Sequence, residues 1–227
     1  MDSLLDSTSR ISNSTAIQRR LESSTRVIKF LKHRCNDPKD INPKFGAEVD
    51  VWNFNDKLVL SHYAPSNGKL ENNHHYLLND IPIDQYVAIN AKSTDLIYLC
   101  DGLVHRSNYF VFDCAVPEAI RLAELGLRVF TRQSEYENVP SFYNKAVGVW
   151  MDQFETDWVN DISINQHLTN TKEVAIVSPE LHGRDPKQFW FQLKQMKLNG
   201  DVWLCTKLPD EAEVFFDDTT ELVNQES

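Results

Sequence analysis

The chain of 227 residues is 41% hydrophobic and 25% charged, with a formal net charge of −10. Those fractions exclude a wholly disordered chain, and seven glycines with nine prolines exclude a collagenous or linker-dominated one. The acidic balance speaks against nucleic acid and anionic membrane surfaces as partners, since either needs a basic face, but leaves room for a local basic pocket holding one phosphate group. No stretch approaches the roughly 18 apolar residues of a membrane span, and Met1 to Ser24 lacks the apolar region of a signal peptide. A cytoplasmic protein without stable membrane insertion is expected. Cys35, Cys100, Cys114 and Cys205 form no CxxC pair and read as reduced thiols, mostly packed in apolar surroundings.

Residues 1–25, rich in Ser and Thr, read as a short helix or loosely held arm. From Val27 short apolar runs recur: Val27–Leu31, Phe45–Trp52, Leu58–Leu60, Tyr86–Ile89, Tyr109–Phe112, Leu127–Phe130, Ala146–Met151, Val174–Val177 and Val202–Cys205. Their continuous, non-alternating character predicts strands buried on both faces, as in parallel sheets. Helix signals lie between several of them. Ser93–Leu99 starts at a Ser/Thr cap, Pro117–Leu125 is closed by Gly126, and Pro186–Leu198 is closed by Asn199-Gly200. With Leu58–Leu60 counted as an extension of the second strand, eight βα-like units predict a compact (β/α)8 TIM barrel over 26–216. Its first unit is irregular, because about a dozen residues between the first two strands are too few for an ordinary helix. Residues 217–227 form an acidic tail.

Barrel enzymes carry their reactive groups at the C-terminal ends of strands. The first strand ends in Lys32-His33-Arg34. The second contains Glu48-Val49-Asp50, and residues two apart share a strand face, so both carboxylates project together. Ala47, Val49, Val51 and Trp52 bury the surrounding strand, so the pair demands a compensating cation. Oxygen ligands of this type suit Mg²⁺ or Ca²⁺. Leu58-Val59-Leu60-Ser61-His62 brings a second histidine, and the third strand ends in Asn90-Ala91-Lys92. Each piece alone is weak; their order and their placement at strand ends are specific.

This constellation resembles the glycerophosphodiester phosphodiesterase-like branch of the phosphatidylinositol-phospholipase-C-like barrels. Members share a first-strand His-Arg-Gly, an E-x-D on the second strand, a following His, and an acid-x-Lys on the third. Here those positions read His33-Arg34-Cys35, Glu48-Val49-Asp50, His62-Tyr63 and Asn90-Ala91-Lys92. Later strand ends, Phe112-Asp113, Trp150-Met151-Asp152 and Ser178-Pro179-Glu180, are similar to a small subgroup of the same barrels. Cys35 replaces a Gly, Tyr63 an Asp, and Asn90 a metal-binding carboxylate. The family's first helix is absent.

The resemblance implies a metal-dependent phosphodiesterase acting on a small glycerophosphodiester-like substrate. A divalent ion would be held by Glu48, Asp50 and Asn90, with Arg34 and Lys92 neutralising phosphate oxygens and His33 and His62 serving as general base and acid in unassigned order. Asp113 and Glu180 are the expected further substrate-binding residues, Glu180 with Arg184 as its ion-pair alternative. Arg132, Asp152 and Lys207 complete the second rank, while His105, His167 and His182 read as structural and His74-His75 as solvated. Two other readings stay open: a lyase-type phosphotransferase giving a cyclic phosphate, and a catalytically degenerate barrel that binds a phosphorylated ligand.

Overall fold

A computed structural model describes residues 26–66, 76–96 and 98–218. The arm at 1–25, the loop pair His74-His75 and the tail from 219 onward lie outside the described residues. The strands are β1 (Ile28–Lys32), β2 (Gly46–Phe54), β3 (Lys57–Leu60), β4 (Val87–Ala91), β5 (Tyr109–Phe112), β6 (Phe130–Gln133), β7 (Gly148–Met151), β8 (Glu173–Val177) and β9 (Val202–Thr206). Eight of them run in the order β5-β4-β2-β1-β9-β8-β7-β6, every pairing parallel. The two ends meet at a parallel bridge between Val111 and Val129, where the Val111 N–H donates to the Arg128 carbonyl at 2.8 Å. The sheet is therefore a nearly closed barrel of eight parallel strands, a TIM barrel as expected.

Strand β3 stands off this path and pairs antiparallel with β2. Asn55 and Asp56, both at positive φ (51° and 57°), make the two-residue turn whose twist matches a hairpin. The hairpin projects Ser61 and His62 beyond the strand end. The irregular first unit is also present, since β1 reaches β2 through a 3-10 turn at Pro38–Asp40 instead of a helix.

Helices α1 (Leu99–Leu103), α2 (Val116–Glu124), α3 (Asp161–Thr169), α4 (Lys187–Gln195) and α5 (Pro209–Asp217) follow in chain order. The expected helices at Pro117–Leu125 and Pro186–Leu198 are found nearly in place. The one expected at Ser93–Leu99 is displaced to Leu99–Leu103, because the Ser93 hydroxyl accepts the Asn53 N–H at 2.8 Å and serves the β2 edge instead of a helix start. Helix α3, carrying an Asn160/Ser163 capping box, has no clear apolar period in the sequence. Helix α5 is not among the expected helices, although Leu208, Ala212, Phe215 and Phe216 recur at helical spacing and pack on one cluster.

Three buried clusters follow from this arrangement. One fills the barrel: Leu31, Ala88, Phe110, Phe112, Phe130, Trp150, Ala175, Val177 and Cys205. Phe110 stacks on Phe130 (centroids 3.8 Å) and Phe112 on Trp150 (3.9 Å). The other two pack helices and loops on the outer faces of β2–β5 and of β7–β9. Continuous apolar strands are thus required on both faces, as the sequence showed. Inside, the apolar filling gives way toward the C-terminal rim to His33, Asp50, Asn90 and Asp152. Among the described residues all four cysteines are free thiols, Cys35 and Cys205 buried, the other two half-buried. No helix among them is long and apolar enough to cross a membrane.

Candidate functional site at the C-terminal rim of the barrel

The site is built outward from Asp50. Its Cα pairs laterally with Asn90, and Glu48 lies two residues earlier on the same inner face. Both carboxylates are almost fully buried, Glu48 at 1% and Asp50 at 2% exposure. The Asp50 Oδ2 accepts from Asn36 Nδ2 at 2.8 Å and from His62 Nδ1 at 3.1 Å, with Arg34 Nε 3.9 Å away. Its Oδ1 faces Lys92 Nζ at 3.1 Å. Burial alone would raise the Asp50 carboxyl, but the Asn36 hydrogen bond and the Lys92 charge outweigh it and hold the group below its ordinary value.

Glu48 is held differently. Its Oε2 accepts the Arg34 backbone N–H at 2.7 Å, and its backbone carbonyl accepts the Cys35 N–H at 2.7 Å. Arg34 reaches this pose in the left-handed region, at φ 60°. That is an uncommon conformation for a non-glycine residue and marks the turn as locally over-determined. Burial, then the neighbouring Asp50 charge, pushes the Glu48 carboxyl well above its usual range. His33 Nε2 stands 3.7 Å from Glu48 Oε2, and the His33 N–H is tied to the Thr206 carbonyl at 2.9 Å. Burial and the adjacent Arg34 charge lower the imidazole to about 4, so His33 is neutral at neutral pH.

His62 is fixed by the hairpin. The Ser61 N–H donates to the Asp50 carbonyl, and Trp52 Nε1 donates to the Ser61 carbonyl at 2.9 Å. Lys92 is anchored by its own N–H on the Val51 carbonyl at 3.0 Å. The structure thus brings His33, Arg34, Glu48, Asp50, His62, Asn90 and Lys92 to one part of the rim. Asn36 joins them and was not read from the sequence; an Asn two residues past a strand-end His-Arg carries no signal of its own.

The far side of the rim comes from β5 to β8. Asp113, at φ 59° just past β5, pairs with Arg132 at 3.2 Å, and burial lifts its carboxyl to about 6 against the opposing Arg132 charge. Arg132 also contacts Glu137 and lies over the Phe154 ring. Glu180 does not pair with Arg184. Its Oε1 accepts from Thr206 Oγ1 at 2.5 Å and from the Lys207 N–H at 3.0 Å, and its Oε2 from Ser178. Arg184 binds the Phe154 carbonyl at 2.8 Å and Asp157 at 3.0 Å. Glu180 therefore ties β8 to β9. His182, read as structural, is partnered: its Nε2 stands 2.7 Å from Asp152 Oδ1, with Phe154 against its ring. The sequence spacing of 30 residues hid this pair.

The resemblance implies a divalent ion at Glu48, Asp50 and Asn90, and the donor set does not fit one. Ions of the Mg²⁺ or Ca²⁺ type take about six or more oxygen ligands. Both Asp50 oxygens are engaged by protein donors, Glu48 Oε2 holds an amide, and the third position is a neutral amide. Asn90 Oδ1 is buried without a partner, which supplies one acceptor and no charge. Among the described residues no group of three or more His, Cys, Asp or Glu side chains is arranged to hold a metal.

No protein-family model matches the chain, and no curated protein matches it. Among solved structures the chain is similar to the crystal structure of glycerophosphodiester phosphodiesterase from Agrobacterium tumefaciens str. C58. The two are 11% identical with a TM-score of 0.49, over 83% of this chain and 100% of that one.

Proposed function

We propose that this protein cleaves small phosphodiesters of the glycerophosphodiester type, with His33 as general base and His62 as general acid. The observation that supports this most is the arrangement of two imidazoles against one buried carboxylate pair, His62 on Asp50 and His33 beside Glu48, with Arg34 and Lys92 alongside. Neutral His33 accepts the proton of the attacking oxygen, whether water or a neighbouring substrate hydroxyl. In the imidazolium form both ring nitrogens of His62 carry a proton: Asp50 accepts the Nδ1–H, the Nε2–H passes to the departing alcohol, and the ring is left neutral. Arg34 and Lys92 supply fixed positive charge to the non-bridging phosphate oxygens as negative charge develops on them.

The test is turnover of bis(p-nitrophenyl) phosphate and a panel of glycerophosphodiesters by the wild type, His33→Ala and His62→Ala. Turnover that falls on the order of a hundredfold or more in both variants supports the assignment. Wild-type-like rates in either variant overturn it. Phosphorus NMR of the product separates hydrolysis from release of a cyclic phosphate.

A further inference from the structure

We propose that Lys92 is the resident cation of this site and that the protein binds and cleaves its phosphodiester without a divalent metal ion. The inference rests on the phosphodiesterase reading and goes beyond it, since the resemblance points to a metal at this place.

Charge comes first. Asp50, almost fully buried on the inner face of β2 beside Glu48, requires compensation. Two protein cations supply it: Lys92 Nζ at 3.1 Å from Asp50 Oδ1 and Arg34 Nε at 3.9 Å from Oδ2. Both cations lie against Asp50, so its charge is already compensated by the protein. A carboxylate at position 90, the Cα neighbour of Asp50, would add a negative charge beside it, and Asn90 adds none.

Geometry comes second. A divalent ion on Asp50 would have to displace Lys92 from Oδ1 or both Asn36 and His62 from Oδ2. Either move sets a cation against a cation in a buried pocket or frees the general acid from its orienting carboxylate. Lys92 cannot retreat with its backbone, because its N–H is bonded to Val51 O on the neighbouring strand. Its ammonium carries three donors, and one on Asp50 leaves two for phosphate oxygens. With a quarter of its side chain exposed, it remains open to ligand.

The experiment pairs a binding readout with turnover. Mn²⁺ is titrated into wild type and Glu48→Gln and followed by electron paramagnetic resonance, while diester turnover is measured with EDTA and with added Mn²⁺, Mg²⁺ or Ca²⁺. The expected result is no stoichiometric Mn²⁺ binding that depends on Glu48, and turnover unchanged by chelator. Lys92→Met, checked for folding by circular dichroism, should lose turnover on the order of a hundredfold with no recovery on adding metal, and Lys92→Arg should retain more. One equivalent of Mn²⁺ bound by wild type and lost in Glu48→Gln overturns the proposal, as does chelator-abolished turnover restored by metal, or a Lys92→Met variant as active as wild type. If no diester is turned over under any condition, the proposed function falls, and the Mn²⁺ titration still decides the cation assignment.

Discussion

Asn36 and Asp50 exchange hydrogen bonds in both directions: Asn36 Nδ2 donates to Asp50 Oδ2 at 2.8 Å, and the Asp50 N–H donates to Asn36 Oδ1 at 2.8 Å. The pair locks the turn after β1 onto β2, so His33 and Arg34 keep a fixed relation to the buried carboxylates. Asn36→Ala removes a charge-assisted bond and leaves the Asp50 N–H unpaired. We expect a loss of about 1–3 kcal/mol in urea unfolding. Turnover should fall on the order of ten- to a hundredfold, because the carboxylate that orients His62 is freed. A fully active Asn36→Ala would show that Asp50 is positioned by Lys92 and His62 alone.

Under the proposed function, His33 as general base sets the acid limb of activity. Burial and Arg34 lower it from 6.5 to about 4, so the base stays neutral through mild acid. The pH profile of kcat/KM should hold its acid side down to a pH near 4 instead of falling near 6.5. Stability carries the same signature. Between pH 4 and 6.5 the unfolded chain binds more protons at this residue than the folded one. Its contribution is therefore complete above 6.5 and is lost as pH falls through the window, by up to about 1.4 kcal/mol per pH unit. Urea unfolding of wild type and His33→Asn at pH 7 and pH 4.5 reads the difference: the wild type should lose more on acidification. Equal losses would mean that His33 is hydrated in the folded state.

Much of this site was legible because polar residues at the ends of apolar strands have no core role to explain them. Glu48 and Asp50 inside Ala47–Trp52 are the clearest case, and their two-residue spacing alone puts them on one face. The strand order followed from the βα rhythm. What stayed hidden was contact across the rim. His182 and Asp152 touch because β7 and β8 are neighbours and a 3-10 turn at Pro179–His182 folds back, and nothing in either local sequence reports that. Helix α3 was missed for a different reason: Ile162 points to solvent and His167 is buried, so its apolar period is broken. His167 is buried by bonds to Tyr143 and Gln133, a structural role the sequence did suggest.

The His182–Asp152 pair lies at the ends of β7 and β8, across the barrel from β2 and β4, which carry Asp50 and Lys92. Under the proposed function, with the phosphate between His33 and His62, a group there faces the part of the substrate away from the phosphate. His182→Ala should therefore raise KM by about tenfold, one good hydrogen bond to a bound group, while kcat changes less. Asp152→Asn should act in the same direction by releasing the imidazole. Steady-state kinetics on a glycerophosphodiester separates the cases. A kcat loss as large as that of His62→Ala, with KM unchanged, would instead place His182 in the chemical step.

The filling of the barrel makes a prediction independent of chemistry. Gly148 begins β7 beside Phe130, and a Cβ there would collide with the Phe130 ring and with the Glu173 carbonyl of the neighbouring strand. Phe130 cannot swing away, because it stacks on Phe110 at 3.8 Å, and Phe110 is fully buried with Phe112 and Trp150 around it. The carbonyl cannot move either, since β7 and β8 are paired in register there. Gly148→Ala thus overpacks a rigid layer and should cost about 1–3 kcal/mol or more in urea unfolding. Gly126, at φ 87° after α2 with open space around its Cα, is the contrasting position. Gly126→Ala meets no neighbour and suffers only the left-handed backbone cost of about 1 kcal/mol. If the two variants unfold at the same urea concentration, the aromatic layer is softer than its stacking implies, and the barrel's interior does not set its stability.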